Sequence, residues 1–586
     1  MILVTLLKTQ TLFLYIRCLS SSFHPVLKTN TPSHSATKIL QELSRHLLQF
    51  DGSSGQIKQQ TLDLLSACKT LNPSQIKEYR RCLLFTTAYP ETHANYRAGI
   101  MGLHTLGLKI QSLGSKSKKA LGQSGLPNTV LLGVYSFHLL HWLSKNTNTQ
   151  VRLAYFEKGA VHPCAALKRG LNEMEFELEG QESLKAMRWL ELAFGSKDRK
   201  TLLQRVLNYI AALAIPGLQK DQLFESMRVC VSFECADQSP ALRFATKPFV
   251  HSDGLIKRFD EKALLDTPLP QSKKLSATQK KELIHCARLS LLFLNRETDP
   301  VSLCEESGLE YYELERGFSI ALFSTVPERR LPLESYIGFM MFKNGFPISY
   351  GGAWLFGKRS LLGINIYESY RGGESAYLFA QLLRCYKQRF SPTYIEVEPY
   401  QFGKGNPEGI KTGAFWFYYR FGFRPVDKTL RSLAAKEYNK LQKNRTYRTP
   451  PSTLKAFTAS NMMLSFEERT INLDPSILSA HITETIAEKF QGDRHLFRTW
   501  ALDRIKTELG IEFSNLSEAE KTGVEKMYAF VCVCLDLENI PAQEKETLKN
   551  LILEKGKSEF KYAEGCETFP FERFISPREL RKALGL

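Results

Sequence analysis

Hydrophobic positions follow a helical spacing over most of the chain. Leucines recur three or four residues apart near 40–48 and again near 62–71, and this spacing places side chains on one face of a helix. Similar patterns return between about 165 and 330 and beyond about 470. We therefore expect a mainly helical region at 42–330, long enough for two subdomains, and a helical region at 471–586.

Two segments of the first region differ from this pattern. The run VRLAYFE, which begins at Val151, predicts a strand. The basic stretch LGSKSKKALGQSG, which begins at Leu113, is rich in glycine and serine and predicts an exposed linker. It lacks the Gly-Lys-Ser/Thr ending of a phosphate-binding loop.

The run from Ser335 to Pro425 alternates strand-like and helix-like periods. Strands are predicted at SYIGFMMF, FPISYGGAWLF, LLGINIYES and TYIEVEPY, and Asn344-Gly345 is a hairpin signal between the first two. One helix should follow Gly373, a second is predicted at IKTGAFWFYYRF, and a further strand should begin at Phe423. This order predicts an α/β domain with a mixed sheet at 331–470, embedded between mainly α-helical regions.

The net charge favours anionic partners but does not identify one of them. The 586 residues carry a net charge of +18, which favours nucleic acid, phosphate-rich cofactors or acidic lipid, although a solvated basic surface is an equally good interpretation. Lys436, Lys440 and Lys443 fall on one predicted helical face. Nucleic acid is thus a possible partner, but no recognition motif supports it.

Composition also bears on location. Residues 1–41 contain no Asp or Glu and many Ser and Thr, and we interpret them as an unstructured leader or as the product of a start codon placed too far upstream. No stretch reaches 18 apolar residues, so no transmembrane segment is expected.

The twelve cysteines include no CxxC pair. They predict reduced thiols, no metal site and a cytoplasmic protein.

Two motifs in the α/β run resemble the GNAT superfamily of N-acyltransferases. YRGGESA, from Tyr370 to Ala376, is similar to the superfamily's Arg/Gln-x-x-Gly-x-Gly/Ala turn, and AFWFYYRFGFRP is similar to its helix ending in Tyr, three residues and Gly-Phe. The resemblance covers about 90 residues. The run also resembles a group of bacterial proteins of similar length.

The resemblance implies that the first motif holds the pyrophosphate of acetyl-CoA or another acyl-CoA. The implied cofactor-binding residues are Arg371, Gly372, Gly373, Ser375 and Ala376. A helix start suits this role physically, because its free N–H groups and dipole attract phosphate. Glu374 departs from the pattern by replacing a glycine: its carboxylate should either repel the phosphate or point to solvent as a helix-stabilising first-turn residue.

The second motif implies a catalytic role for Tyr418, as the acid that protonates the departing thiolate. A tyrosine with an ordinary pKa near 10 is protonated at neutral pH, as that role requires. Its neighbours include Phe415, Trp416, Phe417 and Tyr419, so the alternative is one more packing aromatic.

Three glutamates are candidates for the general base. Glu368 follows the third strand, and Glu396 and Glu398 alternate onto one face of the fourth. If the two strands are parallel neighbours that splay apart, they leave a cleft for the acyl group. The alternative is that Glu396 and Glu398 face solvent.

We therefore expect an acyl-CoA-dependent N-acyltransferase that takes its acyl group from a small-molecule donor and passes it to an amine. One alternative is a non-catalytic binding or assembly module with the same fold. Another is an aminoacyl or bulky-acyl transferase that uses an RNA-linked donor.

Overall fold

The computed structural model of the protein describes residues 36–68, 70–146, 150–168, 172, 174, 184–235, 241–467 and 473–586. Within these ranges the fold is mixed α/β, as predicted, with one sheet of eight strands and a second of three. Most of the predicted leader lies outside the described residues. Its last six residues contradict the prediction, since the first described helix begins at Ala36.

From residue 36 onward, five described helices precede the small sheet, and their bounds are α1 Ala36–His46, α2 Gly52–Ala67, α3 Pro73–Ala88, α4 His93–Gln111 and α5 Ser115–Ala120. The predicted apolar stripe is buried at Leu43, Leu47, Leu62 and Leu65. The last helix corrects the predicted linker, because six residues of the basic stretch are helical.

The small sheet consists of β1 Val130–Val134, β2 Val151–Phe156 and β3 Val229–Glu234. β3 lies in the middle and pairs antiparallel with both neighbours. The helices around it are α6 Phe137–Asn146, α7 Pro163–Leu167, α8 Ala186–Ala193, α9 Arg199–Ala212 and α10 Gly217–Ser226. The predicted strand at Val151 is confirmed, whereas β3 replaces part of a region predicted to be helical.

The large sheet is formed by β4 Cys304–Glu313, β5 Phe318–Thr325, β6 Ser335–Lys343, β7 Phe346–Phe356, β8 Arg359–Ile366, β9 Tyr394–Val397, β10 Arg424–Pro425 and β11 Met462–Ser465. Its order is β10-β11-β9-β8-β7-β6-β5-β4. Neighbours are antiparallel except β8 and β9, which are parallel. The first two strands, β4 and β5, lie in the sequence predicted as helical, so the sheet is larger than predicted.

The predicted hairpin between β6 and β7 is confirmed. Asn344 and Gly345 both have positive φ, 50° and 82°, as a two-residue turn between twisted antiparallel strands requires.

Both faces of the central strands are covered. Along β5, Ile320 and Leu322 pack with α14 (Ser375–Phe390), whereas Ala321 and Phe323 pack with α12 (Ala277–Leu292). Strands buried on both faces show continuous apolar runs instead of alternation. This explains why such strands are hard to distinguish from helices by period alone.

The helix α14 connects β8 to its parallel neighbour β9, as predicted. The second predicted helix is divided at Gly413, whose φ of 66° ends α15 (Pro407–Thr412) and begins α16 (Ala414–Arg420). The remaining helices before α14 are α11 Glu261–Asp266 and α13 Asp299–Ser302.

In the described residues after β10, the only strand is β11 and the other long elements are helices. These helices are α17 Lys428–Lys443, α18 Pro451–Phe457, α19 Pro475–Phe490, α20 Arg494–Leu509, α21 Glu518–Cys534, α22 Ala542–Lys557, α23 Glu559–Thr568, α24 Phe571–Phe574 and α25 Arg578–Ala583. The end of β7 connects this region to the sheet, because Phe356 packs between Phe530 and Phe571. None of the helices in the described ranges has the length and apolar composition needed to cross a membrane.

Candidate functional site

The turn between β8 and α14 begins with a short 3-10 segment, Glu368–Tyr370. Arg371 is exposed, and its Nε donates a hydrogen bond of 3.1 Å to the carbonyl of Ile366 at the end of β8. Gly372 has a φ of 81° with open space where a Cβ would stand. Glycine is therefore required here by backbone conformation and not by crowding.

The other predicted phosphate-binding residues surround the helix start. Ser375 and Ala376 form the first turn of α14 and are half-buried, where main-chain N–H groups have no partner within the helix. Gly373 has a different neighbour, because a Cβ at this position would stand 3.2 Å from Phe85 of α3. The N-terminal helices thus cover one side of the turn.

Glu374 points neither to solvent nor to the outer side of the turn, contrary to both expectations. It is 1% exposed, accepts hydrogen bonds from the Ile256 amide at 2.8 Å and Lys343 Nζ at 3.3 Å, and lies 3.7 Å from Arg316. Its charge is balanced inside the protein. Repulsion of a phosphate is consequently much weaker than an isolated carboxylate would cause.

Lys343 is the buried partner of Glu374 at the end of β6. Its ammonium lies 4.7 Å from the Tyr89 ring centroid and 4.2 Å from that of Phe318. Burial lowers the pKa of Lys343 to about 8, and the nearby Glu374 carboxylate opposes this shift. Lys343 is the one charged residue in the β6 sequence SYIGFMMFK. A charge in an otherwise uncharged strand was the only sequence signal for the buried pair of Lys343 and Glu374.

β8 and β9 pair over three positions only, from Arg359–Tyr394 to Leu361–Glu396. Beyond Leu361, β8 continues its pairing with β7 but not with β9. Pairing stops there because β9 ends at Val397, one residue after its last pair with β8, and the splayed cleft of the acyl-transfer hypothesis stays a prediction.

The space beside β8 beyond the end of β9, called the gap below, is occupied by the side chain of Gln401. Its Oε1 accepts hydrogen bonds from the Ile364 amide at 3.2 Å and from the Tyr418 hydroxyl at 3.1 Å. A Cβ on Gly363 would stand 3.3 Å from its Nε2. Gln401 was not predicted, and a single glutamine in a loop offers no sequence signal for this role.

Tyr418 is 4% exposed and is surrounded by the rings of Phe379, Phe402 and Phe423. Burial raises the pKa of its hydroxyl, so the side chain stays protonated at neutral pH. It is therefore packed in the core, as the second interpretation expected, and its hydroxyl donates to Gln401; its role as catalytic acid stays a prediction.

The glutamates of β9 differ from each other in environment. Glu396 is buried, forms an ion pair with Arg359 at 3.2 Å and accepts a hydrogen bond from Asn461 at 3.3 Å. Glu398 is exposed. The alternative that both face solvent is wrong for Glu396, whose carboxylate contacts Arg359 and Asn461.

Glu368 is exposed and lines a cavity of about 130 Å³. The cavity lies against the Tyr367–Tyr370 segment and the helices α3 and α12. Tyr418 and Arg371 do not line it, so the structure does not bring all the predicted catalytic residues to one cavity.

The histidines at 138 and 141 are packing residues in this arrangement. His138 lies 3.1 Å from Asp221, and His141 stacks on Phe137. In the part of the chain that the structure describes, no group of three or more His, Cys, Asp or Glu side chains is placed to hold a metal ion.

Comparison of the chain with models of protein families, with curated proteins and with solved structures gives no match. The function of this site must therefore be argued from its geometry.

Proposed function

We propose that the protein is an acyl-coenzyme A-dependent N-acyltransferase with a GNAT-like domain, which takes its acyl group from a small-molecule donor and passes it to an amine. The observation that carries this proposal is the gap beside β8, beyond the end of β9. Two donors, the Ile364 N–H and the Tyr418 O–H, converge there on one carbonyl oxygen, that of Gln401. A thioester carbonyl is an acceptor of the same kind, and two convergent donors are what stabilises charge on such an oxygen during acyl transfer.

Gln401 is the residue that must move for a donor to enter. Its amide belongs to a side chain with three rotatable bonds, and a ligand carbonyl would replace the hydrogen bonds that its departure breaks. The glycine turn then lies at the phosphate end of the same strand, since β8 ends at Ile366 and only the short segment through Tyr370 separates it from Arg371 and Gly372. Arg371 is exposed there, available to a pyrophosphate.

Under this proposal Tyr418 is the acid and Glu368 the base. Glu368 is preferred to Glu396 because its carboxylate forms no hydrogen bond or ion pair with a described residue, whereas Glu396 is paired with Arg359. A cytoplasmic location belongs to the same proposal, since the cysteines within the described ranges are free thiols.

A non-catalytic binding or assembly module is the second candidate. It is favoured by one observation: Gln401 satisfies the Ile364 amide that a continued β9 would otherwise have paired, so its role is also explained by hydrogen bonding alone.

Titration of acetyl-CoA into the purified protein by calorimetry tests the proposal. We expect saturable binding at millimolar ligand or below, and tighter binding, by up to about tenfold, for Gln401→Ala, because removal of the side chain vacates the gap. Tyr400→Ala is the matched control: Tyr400 is adjacent but exposed, and its loss should leave affinity unchanged. If neither wild type nor Gln401→Ala binds acetyl-CoA, the catalytic proposal fails and the binding module remains.

A further inference from the structure

The cavity beside Glu368 contains a cation without a counter-ion. Its polar lining residues are Arg80, Ser290, Tyr367, Glu368, Ser369 and Tyr370. Arg80 lies on α3, and its Nη1 donates a hydrogen bond of 2.8 Å to the carbonyl of Ser124. It forms no ion pair with a described residue, and its Nε is buried without a hydrogen-bond partner among them.

A second donor in the same lining is also unused. The hydroxyl of Tyr367 is buried and has no hydrogen-bond partner among the described residues. Buried polar atoms in folded proteins are nearly always paired, and a genuine exception calls for an explanation such as a ligand. Two residues that line one cavity therefore each carry a buried donor without a partner among the described residues.

The charged and titratable groups around Arg80 also indicate that it lacks an anionic partner among the described residues. Removal from solvent lowers the pKa of Arg80, and the groups that oppose this shift are Cys235 and Tyr370. Burial raises the pKa of both of these groups, so each is neutral at pH 7. Arg80 is half-buried and its guanidinium remains charged, and a partly desolvated charge without a counter-ion is costly. An anion in the cavity would offset that cost.

The rest of the cavity is apolar. Its remaining lining residues are Leu84, Leu242, Phe293, Leu294, Phe346 and Pro347. A volume of about 130 Å³ holds about four or five non-hydrogen atoms at the packing of a liquid. Leu294 and Glu368 are exposed and so lie at its opening, where solvent screens the Glu368 charge.

We propose that this cavity is a binding site for a small aliphatic carboxylate, held by Arg80 and Tyr367 with its carbon chain against the apolar wall. A guanidinium and a hydroxyl are suited to a carboxylate, and the apolar wall favours a carbon chain over an inorganic anion. The site is separate from Gln401 and Tyr418, and Glu368 is the one proposed acyl-transfer residue that also lines it.

Calorimetric titration of sodium propionate into the full-length protein tests this site. Propionate should bind with a Kd on the order of 1 mM, as its few atoms allow. Propylamine, of similar size but opposite charge, should not bind. Inorganic phosphate, which lacks a carbon chain, should bind more weakly than propionate.

Two variants identify the donors. Arg80→Met should weaken propionate binding at least about tenfold, and Tyr367→Phe should weaken it about threefold to tenfold, the effects expected for a charged and a neutral hydrogen bond. Arg81→Met is the matched control, since Arg81 pairs with Glu78 and does not line the cavity. It should bind propionate as wild type does.

Absence of saturable propionate binding to wild type would overturn the proposal, as would equal binding by Arg80→Met. Propylamine or phosphate binding more tightly than propionate would overturn the carboxylate assignment. Tyr367→Phe changes one hydroxyl only, so it keeps the test decisive if Arg80→Met does not fold. Equal binding by a folded Tyr367→Phe would contradict the assigned hydroxyl donor.

Discussion

At the scale of single residues, Tyr418 combines a packed ring with a directed hydroxyl. The ring is enclosed by three phenylalanines and the hydroxyl donates to Gln401. Packing alone would be preserved by phenylalanine at this position. The hydroxyl is thus the atom on which the catalytic hypothesis can be tested separately.

We predict that Tyr418→Phe lowers kcat for acyl transfer by about 10²-fold or more while acetyl-CoA affinity changes little, because proton transfer acts in the transition state. Steady-state kinetics and calorimetry measure the two effects. Tyr419→Phe, at a neighbouring buried aromatic, is the control and should keep its turnover. Equal turnover for Tyr418→Phe would leave this residue a packing role only.

Lys343 gives a pH dependence of stability. Its native pKa of about 8 lies below the ordinary lysine value of about 10.4. Between these two values the unfolded chain binds more protons than the native one, so this group makes stability rise with pH. The rise should approach about 3 kcal/mol over the window.

Urea denaturation at pH 8 and pH 10 measures this effect. The reference is the double variant Lys343→Met/Glu374→Gln, which removes both partners of the buried pair and should lack the share of the rise that Lys343 contributes. An identical pH dependence in wild type and double variant would contradict the assignment to Lys343.

At the scale of elements, the turn between β8 and α14 depends on one glycine conformation. Gly372 and Gly159 have nearly the same φ, 81° and 82°, and neither has an atom within 4 Å of an added Cβ. An added side chain should therefore cost the same conformational free energy at both positions. Only Gly372 lies in the turn between β8 and α14.

Gly372→Ala and Gly159→Ala should each lower the free energy of unfolding by about 1–2 kcal/mol, the cost of a left-handed L-residue. Only Gly372→Ala should also weaken acetyl-CoA binding, because its turn carries the proposed phosphate contacts. Chemical denaturation and calorimetry give the two readouts. Equal affinity in both variants would mean that the turn does not contact the coenzyme.

At the scale of the whole molecule, two adjacent arginines join the large sheet to the regions on either side. Arg329 pairs with Asp221 of α10 beside the small sheet. Arg330 donates to the carbonyls of Lys555 and Gly556 at 2.8 and 2.7 Å. The connection between β5 and β6 thus contacts both flanking regions.

The second of these contacts contains a buried charge cluster. Arg330 and Lys555 both pair with Glu559, at 3.2 and 2.9 Å, and the three side chains are 3% exposed or less. One carboxylate therefore balances two cations in the interior.

Glu559→Gln should destabilise the protein by about 3–5 kcal/mol, because two buried cations lose their counter-ion. Arg330→Met should cost less, since the pair of Lys555 and Glu559 remains. Urea denaturation and hydrogen exchange in α22 and α23 measure both. Glu518→Gln, in an exposed pair with Lys521, is the control and should change stability by under about 1 kcal/mol. A larger loss for Arg330→Met would refute this account of the cluster.

The local sequence pattern was sufficient to predict those helices, strands and turns whose identifying residues lie within a few positions of one another. The hairpin at Asn344-Gly345, the helix after the glycine turn and the alternation of strands and helices from Ser335 to Pro425 follow from turn chemistry and periodicity, and the structure confirms them. The strand β5 was missed because every one of its residues is buried, and continuous burial removes the period that identifies a strand. The edge strand β4 is partly exposed, and its run CEESGLEYYE has too few apolar residues to show a strand period.

The features of the candidate site likewise fall into those that the sequence predicts and those that only the tertiary structure shows. Sequence by itself determined that a glycine turn precedes a helix and that Tyr418 lies four residues before Gly422, since both are relations along the chain. Only the tertiary structure decided that Glu374 turns inward to Lys343, that Gln401 occupies the gap and that Arg80 lacks a counter-ion. Each of these depends on residues at least 30 positions apart meeting in the interior, where burial and not sequence spacing sets the charge and hydrogen-bond balance.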